Sequence, residues 1–296
     1  SKNGDRIYVY GGTYEESLVI NKSIDIVGEN QNKTFLNFKG IFYCIIIKCR
    51  NISVSNFTIR DSSIGIYASS DKSNENISIF NMNFYNNTNA ILLDSGSNNI
   101  SIFSNFFKNN TECLRLYNSS DNIIKNNHFE KNEECVKFFD TSKNNLIANN
   151  SFLNSYNGLG ISLTRWSNNN TILSNNISNG DDGISIDLCS KIKIEGNMIF
   201  NNSNKGIYIK DSKYIEIFNN SIIKNGYHGL YIDNFEDYNM TKIQENNLFL
   251  DNYQDIKVKP KPPVIKIPSV EMTLLILIVL VSMIVFFLKI RFDKNK

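Results

Sequence analysis

The sequence predicts an all-β protein, a right-handed parallel β-helix of about ten coils of 21–27 residues. Three observations carry this. A unit recurs, altered, down most of the chain. Its apolar residues alternate with polar ones, as in Ile100/Ile102 and Ile207/Ile209, which is the period of a strand. About one residue in six is Asn, which competes with helical backbone bonding. One unit cannot bury its own apolar face, whereas units stacked in register enclose a continuous core.

The unit reads clearly in Asn98-Asn99-Ile100-Ser101-Ile102-Phe103-Ser104-Asn105-Phe106-Phe107-Lys108-Asn109-Asn110. With Asn105 as marker, the same slot holds Asn127, Asn150, Asn176, Asn197, Asn220 and Asn247. Two places after the marker stand Phe107, Phe129, Phe152, Ile199, Ile222 and Phe249, with Ile177 one place early in its coil. A second block follows in each unit, for example Cys113-Leu114-Arg115-Leu116, Gly183-Ile184-Ser185-Ile186 and Gly206-Ile207-Tyr208-Ile209. Coils stacked about 4.8 Å apart turn the marker slot into a column of amides bonded above and below. Asn also tolerates the left-handed backbone of a sharp bend. A leucine-rich repeat shares the period but wants Leu-x-x-Leu-x-Leu and its own return segment. This chain has Ile-rich strands on every side and no helical period before residue 270.

Taken in order, Asp5 to Gly28 reads as the first strands, with Gly11-Gly12 as a turn. Coil boundaries blur between residues 40 and 80, the pattern is regular from 81 to Asp251, and Ile256-Lys257-Val258 is the last strand. The solenoid is thus expected over 1–258, followed by a Pro-rich spacer over 259–269. Met272 to Leu288 is apolar except for Thr273 and Ser282, which predicts a membrane helix over 270–290. Lys289, Arg291, Lys294 and Lys296 flank it, so the tail 291–296 is expected in the cytoplasm and the solenoid at the cell surface. Fifteen Asn-x-Ser/Thr acceptors, Asn51, Asn76, Asn99 and Asn149 among them, suit that side; a minority are expected to carry glycan.

The net charge of +2 gives no global field for nucleic acid. Five Cys leave at least one thiol unpaired within the chain. Cys113 and Cys135 share a slot on successive coils, within reach of a disulfide, but parallel side chains favour a plain core pair.

Three constellations could carry chemistry. Asp181-Asp182 in one coil with His228 two coils later resembles the paired aspartates and nearby His of pectin-type β-helix hydrolases, which implies carboxylates that protonate the leaving oxygen and activate water. Asp-Asp-Gly is equally a turn. Asp182, Lys205 and His228 fall in one slot of three coils, so Lys205 is expected to bond both neighbours as a surface ladder. Arg115 and Lys137 beside Glu112 and Glu134 could hold a sugar carboxylate and abstract the adjacent proton, as a lyase or epimerase requires. The plain alternative is a salt-bridge ladder. Trp166, Tyr208, Tyr227 and Tyr231 could stack on sugar rings, although scattered exposed Tyr are ordinary.

The opening Gly4-Asp5 through Ile7-Tyr8-Val9-Tyr10 to Gly12-Thr13-Tyr14, then Ile20-Asn21-Lys22-Ser23-Ile24 with Ile26-Val27-Gly28 and the Asn-rich coils after it, resembles NosD-type periplasmic proteins. It is similar too to the carbohydrate-binding and sugar-hydrolase β-helix repeats of archaeal and bacterial surface proteins. The resemblance implies a helix capping the first coil; the chain begins at Ser1 without Met, so a trimmed start is expected. It implies a polysaccharide or cell-envelope glycan as partner. It also suggests copper, but His128 and His228 lie far apart and Met82, Met198 and Met240 make no cluster, so neither metal nor cofactor is expected. The function expected is a membrane-anchored carbohydrate-binding or envelope module, with a polysaccharide lyase, epimerase or glycoside hydrolase as the alternative.

Overall fold

In the computed structural model the described residues are 1–37, 42–68, 74–153, 158–235, 241–243 and 246–260. They contain no helix and form three parallel sheets of eleven strands each. Every third strand pairs in parallel with the next of its kind, so the chain winds as a right-handed parallel β-helix. One coil is represented by Ser97–Phe103 in sheet A, Phe106–Lys108 in sheet B and Glu112–Tyr117 in sheet C. The expected spacer, membrane helix and basic tail lie outside the described residues.

Alternation builds the core. Ile102, Ile124 and Ile147 point inward from sheet A, and Phe84, Phe107, Phe129 and Phe152 from sheet B. Those four Phe rings stack at 4.8, 4.8 and 4.7 Å between centroids, one ring per coil. Cys113 and Cys135 are buried in matching positions of sheet C without a disulfide between them, and burial raises the Cys113 pKa.

The A–B corner holds the amide column. Asn105 Nδ2 donates to Ile79 O and to Asn127 Oδ1, each at 3.0 Å, and Asn127 Oδ1 also accepts the Asn105 backbone N–H at 3.0 Å. The pattern runs on through Asn150, Asn175, Asn197, Asn220 and Asn247. Asn175, not Asn176, fills the slot. Asn176 opens the strand Asn176–Ser178 with its side chain exposed. Its neighbour Ile177 is buried in the ring column, and a one-residue slip would turn that isoleucine outward.

Left-handed backbone sits one residue earlier than expected. Ser104, Asn126, Asn149, Ser174 and Asn219 have φ between 52° and 57°, and each precedes a ladder amide. Two further polar columns went unread in the sequence: Asn87, Asn110 and Asn132 at the B–C corner, and Asn122, Asn145 and Asn170 at the C–A corner.

Entry to sheet C needs small residues. A Cβ on Gly206 would lie 2.6 Å from Gly229 O and 2.8 Å from Ile222 Cγ2, so the backbones there close up only on glycine. Gly160, Gly183 and Gly229 share that crowding. The last strand runs Gln254–Pro260, past the expected boundary at 258. Lys259 Nζ anchors it to Asp233 at 3.4 Å, and Pro260 fits because the strand is an edge.

Candidate functional site

The outer face of sheet C gathers most of the candidate residues, and the coil register orders them in rows. The middle row runs Arg115, Lys137, Ser162, Ser185, Tyr208, Tyr231, Lys257. A flanking row brings Asp182, Lys205, His228 and Gln254 onto successive coils. Gly183, Gly206 and Gly229 directly follow Asp182, Lys205 and His228 in the chain, where an added Cβ would meet the backbone of the next coil.

The half of the face nearer the N-terminus is an ion ladder. Lys137 Nζ lies 2.7 Å from Glu134 Oε2 and 3.5 Å from Glu112 Oε1, and Arg115 Nη1 lies 3.3 Å from Glu112 Oε2. Two cations and two carboxylates satisfy one another, which leaves no spare charge for a ligand.

The other half is built differently. Asp182 and His228 are each only 6% exposed. Asp182 Oδ1 accepts the Lys205 backbone N–H at 2.9 Å and faces Lys205 Nζ at 3.6 Å. Burial raises the Asp182 pKa, with Lys205 opposing. Lys205 does not bridge both neighbours as the sequence suggests. His228 Nε2 lies 3.2 Å from Gln254 Oε1 instead, and its buried Nδ1 has no hydrogen-bond partner. Burial lowers the His228 pKa, and Lys205 and Lys257 add to the effect against the Gln254 bond, so the ring stays neutral near pH 7. These groups do not form an exposed ladder; they are a covered acid–ammonium–imidazole set.

Aromatic rings surround that set. Tyr208 and Tyr231 stack at 5.6 Å, with Lys205 Nζ 4.7 Å from one centroid and 5.9 Å from the other. His228 lies 5.0 Å from Tyr231 and meets Tyr227 edge-on at 4.6 Å. Tyr227 in turn stacks on Tyr253 at 6.0 Å, and these two are 56% and 81% exposed. Burial and the Asp233 charge raise the Tyr208 pKa, so its phenol keeps its proton.

Asp182, His228, Tyr208, Tyr227 and Tyr231 therefore come together. Asp181 does not: its carboxylate turns to the corner and accepts from Ser203 Oγ at 3.3 Å, so the two aspartates do not converge as an acid–base pair. Trp166 sits exposed on the turn that leaves sheet C, with φ 62°. Tyr253, Gln254 and Lys257 went unread as site residues, although they occupy the Tyr227, His228 and Tyr231 slots one coil on.

Copper does not fit the donors. Among the described residues no three His, Cys, Asp or Glu side chains converge. His128 points out of sheet B and His228 out of sheet C, while Met82 is buried under a corner.

The fold is shared with solved structures of low sequence identity. The mannuronan C-5 epimerase AlgE4 A-module of Azotobacter vinelandii superposes with TM-score 0.70 at 13% identity, covering 88% of this chain and 89% of that one. The AlgE6 A-module of the same organism gives 0.67 at 10% identity, covering 88% and 91%. A mannuronic acid specific polysaccharide family 6 lyase from human gut microbiota gives 0.60 at 15%, covering 87% and 77%. Among curated protein sequences none matches. The family model described as periplasmic copper-binding protein (NosD) matches residues 10–162 and 155–265, and the chain belongs to that family.

Proposed function

We propose that this is an extracytoplasmic polysaccharide-binding protein whose glycan lies across the Tyr208–Tyr231 half of sheet C. The observation that carries this reading is the unbroken line of rings from Tyr208 through Tyr231, His228 and Tyr227 to Tyr253, with Lys205 over two of them. Ring faces stack on sugar C–H bonds, and the exposed Tyr227 and Tyr253 reach beyond the charged set. Lys257, next in the row after Tyr231, makes no ion pair among the described residues, so a carboxylated sugar suits the face. Solved proteins with the same fold are, by name, a mannuronan C-5 epimerase, a periplasmic alginate epimerase and a mannuronic acid specific polysaccharide lyase. The family's periplasmic description supports a site outside the cytoplasm, and the apolar run 272–288 with its basic tail supports a membrane anchor. Affinity electrophoresis of the full chain in acidic and neutral polysaccharide gels tests the reading. Tyr231→Ala should abolish retardation in the acidic gel while Lys137→Ala leaves it intact; the reverse pattern would sink the assignment.

A second reading, catalysis on a uronate, draws on the same cluster. Lys205 would exchange Asp182 for the sugar carboxylate, and neutral His228, which is covered in this structure, would have to turn outward to take the proton from the carbon beside it. The electron pair would pass into the carboxylate and be stabilised by the ammonium. A proton returned to the opposite face gives the epimer; loss of the neighbouring glycosidic oxygen gives an unsaturated sugar. Deuterium uptake at that carbon in heavy water, or unsaturated product, lost in His228→Gln, would favour this reading. Polymer unchanged on both counts would favour binding alone.

A further inference from the structure

A separate groove lies on sheet B, away from the rings of sheet C. Its outward row reads Phe106, His128, Ser151, Asn176, Met198. Phe106 and His128 stack with centroids 5.3 Å apart and planes 7° from parallel, so one face of the imidazole is covered. The next coil places only Ser151 against the other face, and the row falls away there. The resulting groove holds about 480 Å³ and is lined by Asn126, His128, Asn149, Ser151, Ser174 and Asn176, above the ladder amides.

The chemistry of the lining is specific. It carries amides, hydroxyls and an imidazole but no carboxylate, ammonium or guanidinium. Asn126, Asn149 and Ser174 are left-handed corner residues. At the other two corners several such residues bond the matching residue one coil away, as Asn76 does to Asn51, Asn86 to Asp61, Asn169 to Asn144 and Asn201 to Asn179, whereas the side chains of Asn81, Asn99 and Asn109 make no such bond among the described residues. Here, among the described residues, neither these three side chains nor those of Ser151, Asn176 and His128 hydrogen-bond to another protein group. One apolar ring wall and a floor of uncommitted donors and acceptors match a pyranose, which has a C–H face and a rim of hydroxyls.

We propose that this groove is a subsite for an uncharged hexopyranose of a neutral glycan, with His128 stacked on the sugar ring and Asn149 and Asn176 bonding its hydroxyls. It does not depend on the sheet C reading and is tested with different variants. The probes are cellohexaose and maltohexaose, added to the full chain in detergent micelles and produced in a host without N-glycosylation. Saturation-transfer NMR should show contact with the ring protons of at least one. The signal should fall at least fivefold in His128→Ala and in Ser151→Phe, whose added ring would extend the stack and fill the groove. Tyr231→Ala should leave it unchanged. Absence of transfer to both probes, or transfer that survives Ser151→Phe, would overturn the proposal. So would loss in Tyr231→Ala alone, since the neutral sugar would then be binding on sheet C.

Discussion

At the scale of single residues, the buried amides and the buried imidazole make opposite demands. Asn127 joins three coils through its side chain, donating to Ile102 O and to Asn150 Oδ1 and accepting from the coil before. Asn127→Ala strands those buried partners, each at about 1–3 kcal/mol, and should lower stability by about 2–4 kcal/mol in denaturant unfolding. Asn176→Ala, at an exposed position, should change it by less than about 0.5 kcal/mol. Equal losses at the two positions would undo the register. His228 has its folded pKa depressed below the unfolded value, so the unfolded chain takes up the proton first. Its contribution to stability is therefore full above about pH 6.5 and is lost as pH falls from there through the folded pKa. Asp182, raised by burial, works in the other sense and favours the folded state as pH falls. The melting temperature should drop less between about pH 7 and pH 5 in His228→Gln than in the parent. Parallel curves would mean that the imidazole is not hidden.

At the scale of strands and corners, much was legible because each slot is sampled many times. Ile102, Ile124 and Ile147 repeat one message, and a column of such residues outweighs any local ambiguity. The error at Asn176 arose where two asparagines adjoin and both satisfy the polar requirement; only Ile177, which must face inward, distinguishes them. The other two amide columns were hidden for the same reason, since asparagine is abundant at every corner. Corner geometry also explains the acceptor motifs. In Asn76-Ile77-Ser78 and Asn99-Ile100-Ser101 a left-handed corner residue precedes a buried one and then an outward hydroxyl, so the fold itself writes the motif. The sheet C glycines give a sharper test. Gly206→Ala places a methyl against backbone and should cost about 1–3 kcal/mol by overpacking, whereas Gly96→Ala has open space around it and bears only the strain of its φ of 82°. Similar losses at both would show that the closely packed backbones can separate.

At the scale of the whole molecule, architecture was readable and function only partly so. A fold that repeats is overdetermined, whereas a site is written once, by whichever side chains fall on neighbouring coils. The Tyr208–Tyr231–His228 grouping could be listed by slot, but the depth of Asp182 and His228 could not, because burial there depends on the rings around them. Likewise Arg115 and Lys137 look available in sequence and prove to be occupied by Glu112 and Glu134. The anchor proposed for 270–290 sets a topology that protease can check. Added to intact cells, it should remove the solenoid and leave a short C-terminal fragment with the membrane; a protected solenoid would reverse the orientation.

The direction of the hydrogen bonds has a mechanical consequence. Sheet ladders and amide columns alike run from coil to coil along the solenoid axis. A pull applied between the chain's ends would load them one coil after another rather than all at once. The solenoid should then yield as a ratchet, each step releasing a coil of 22 to 27 residues, or about 70–90 Å of extended chain. Single-molecule stretching between residues 4 and 258 should give a regular series of small steps. One large rupture would mean that the coils share the load. Held by the anchor proposed for 270–290, a solenoid that lengthens in this way would act as a shock absorber between the membrane and whatever ligand the proposed face takes.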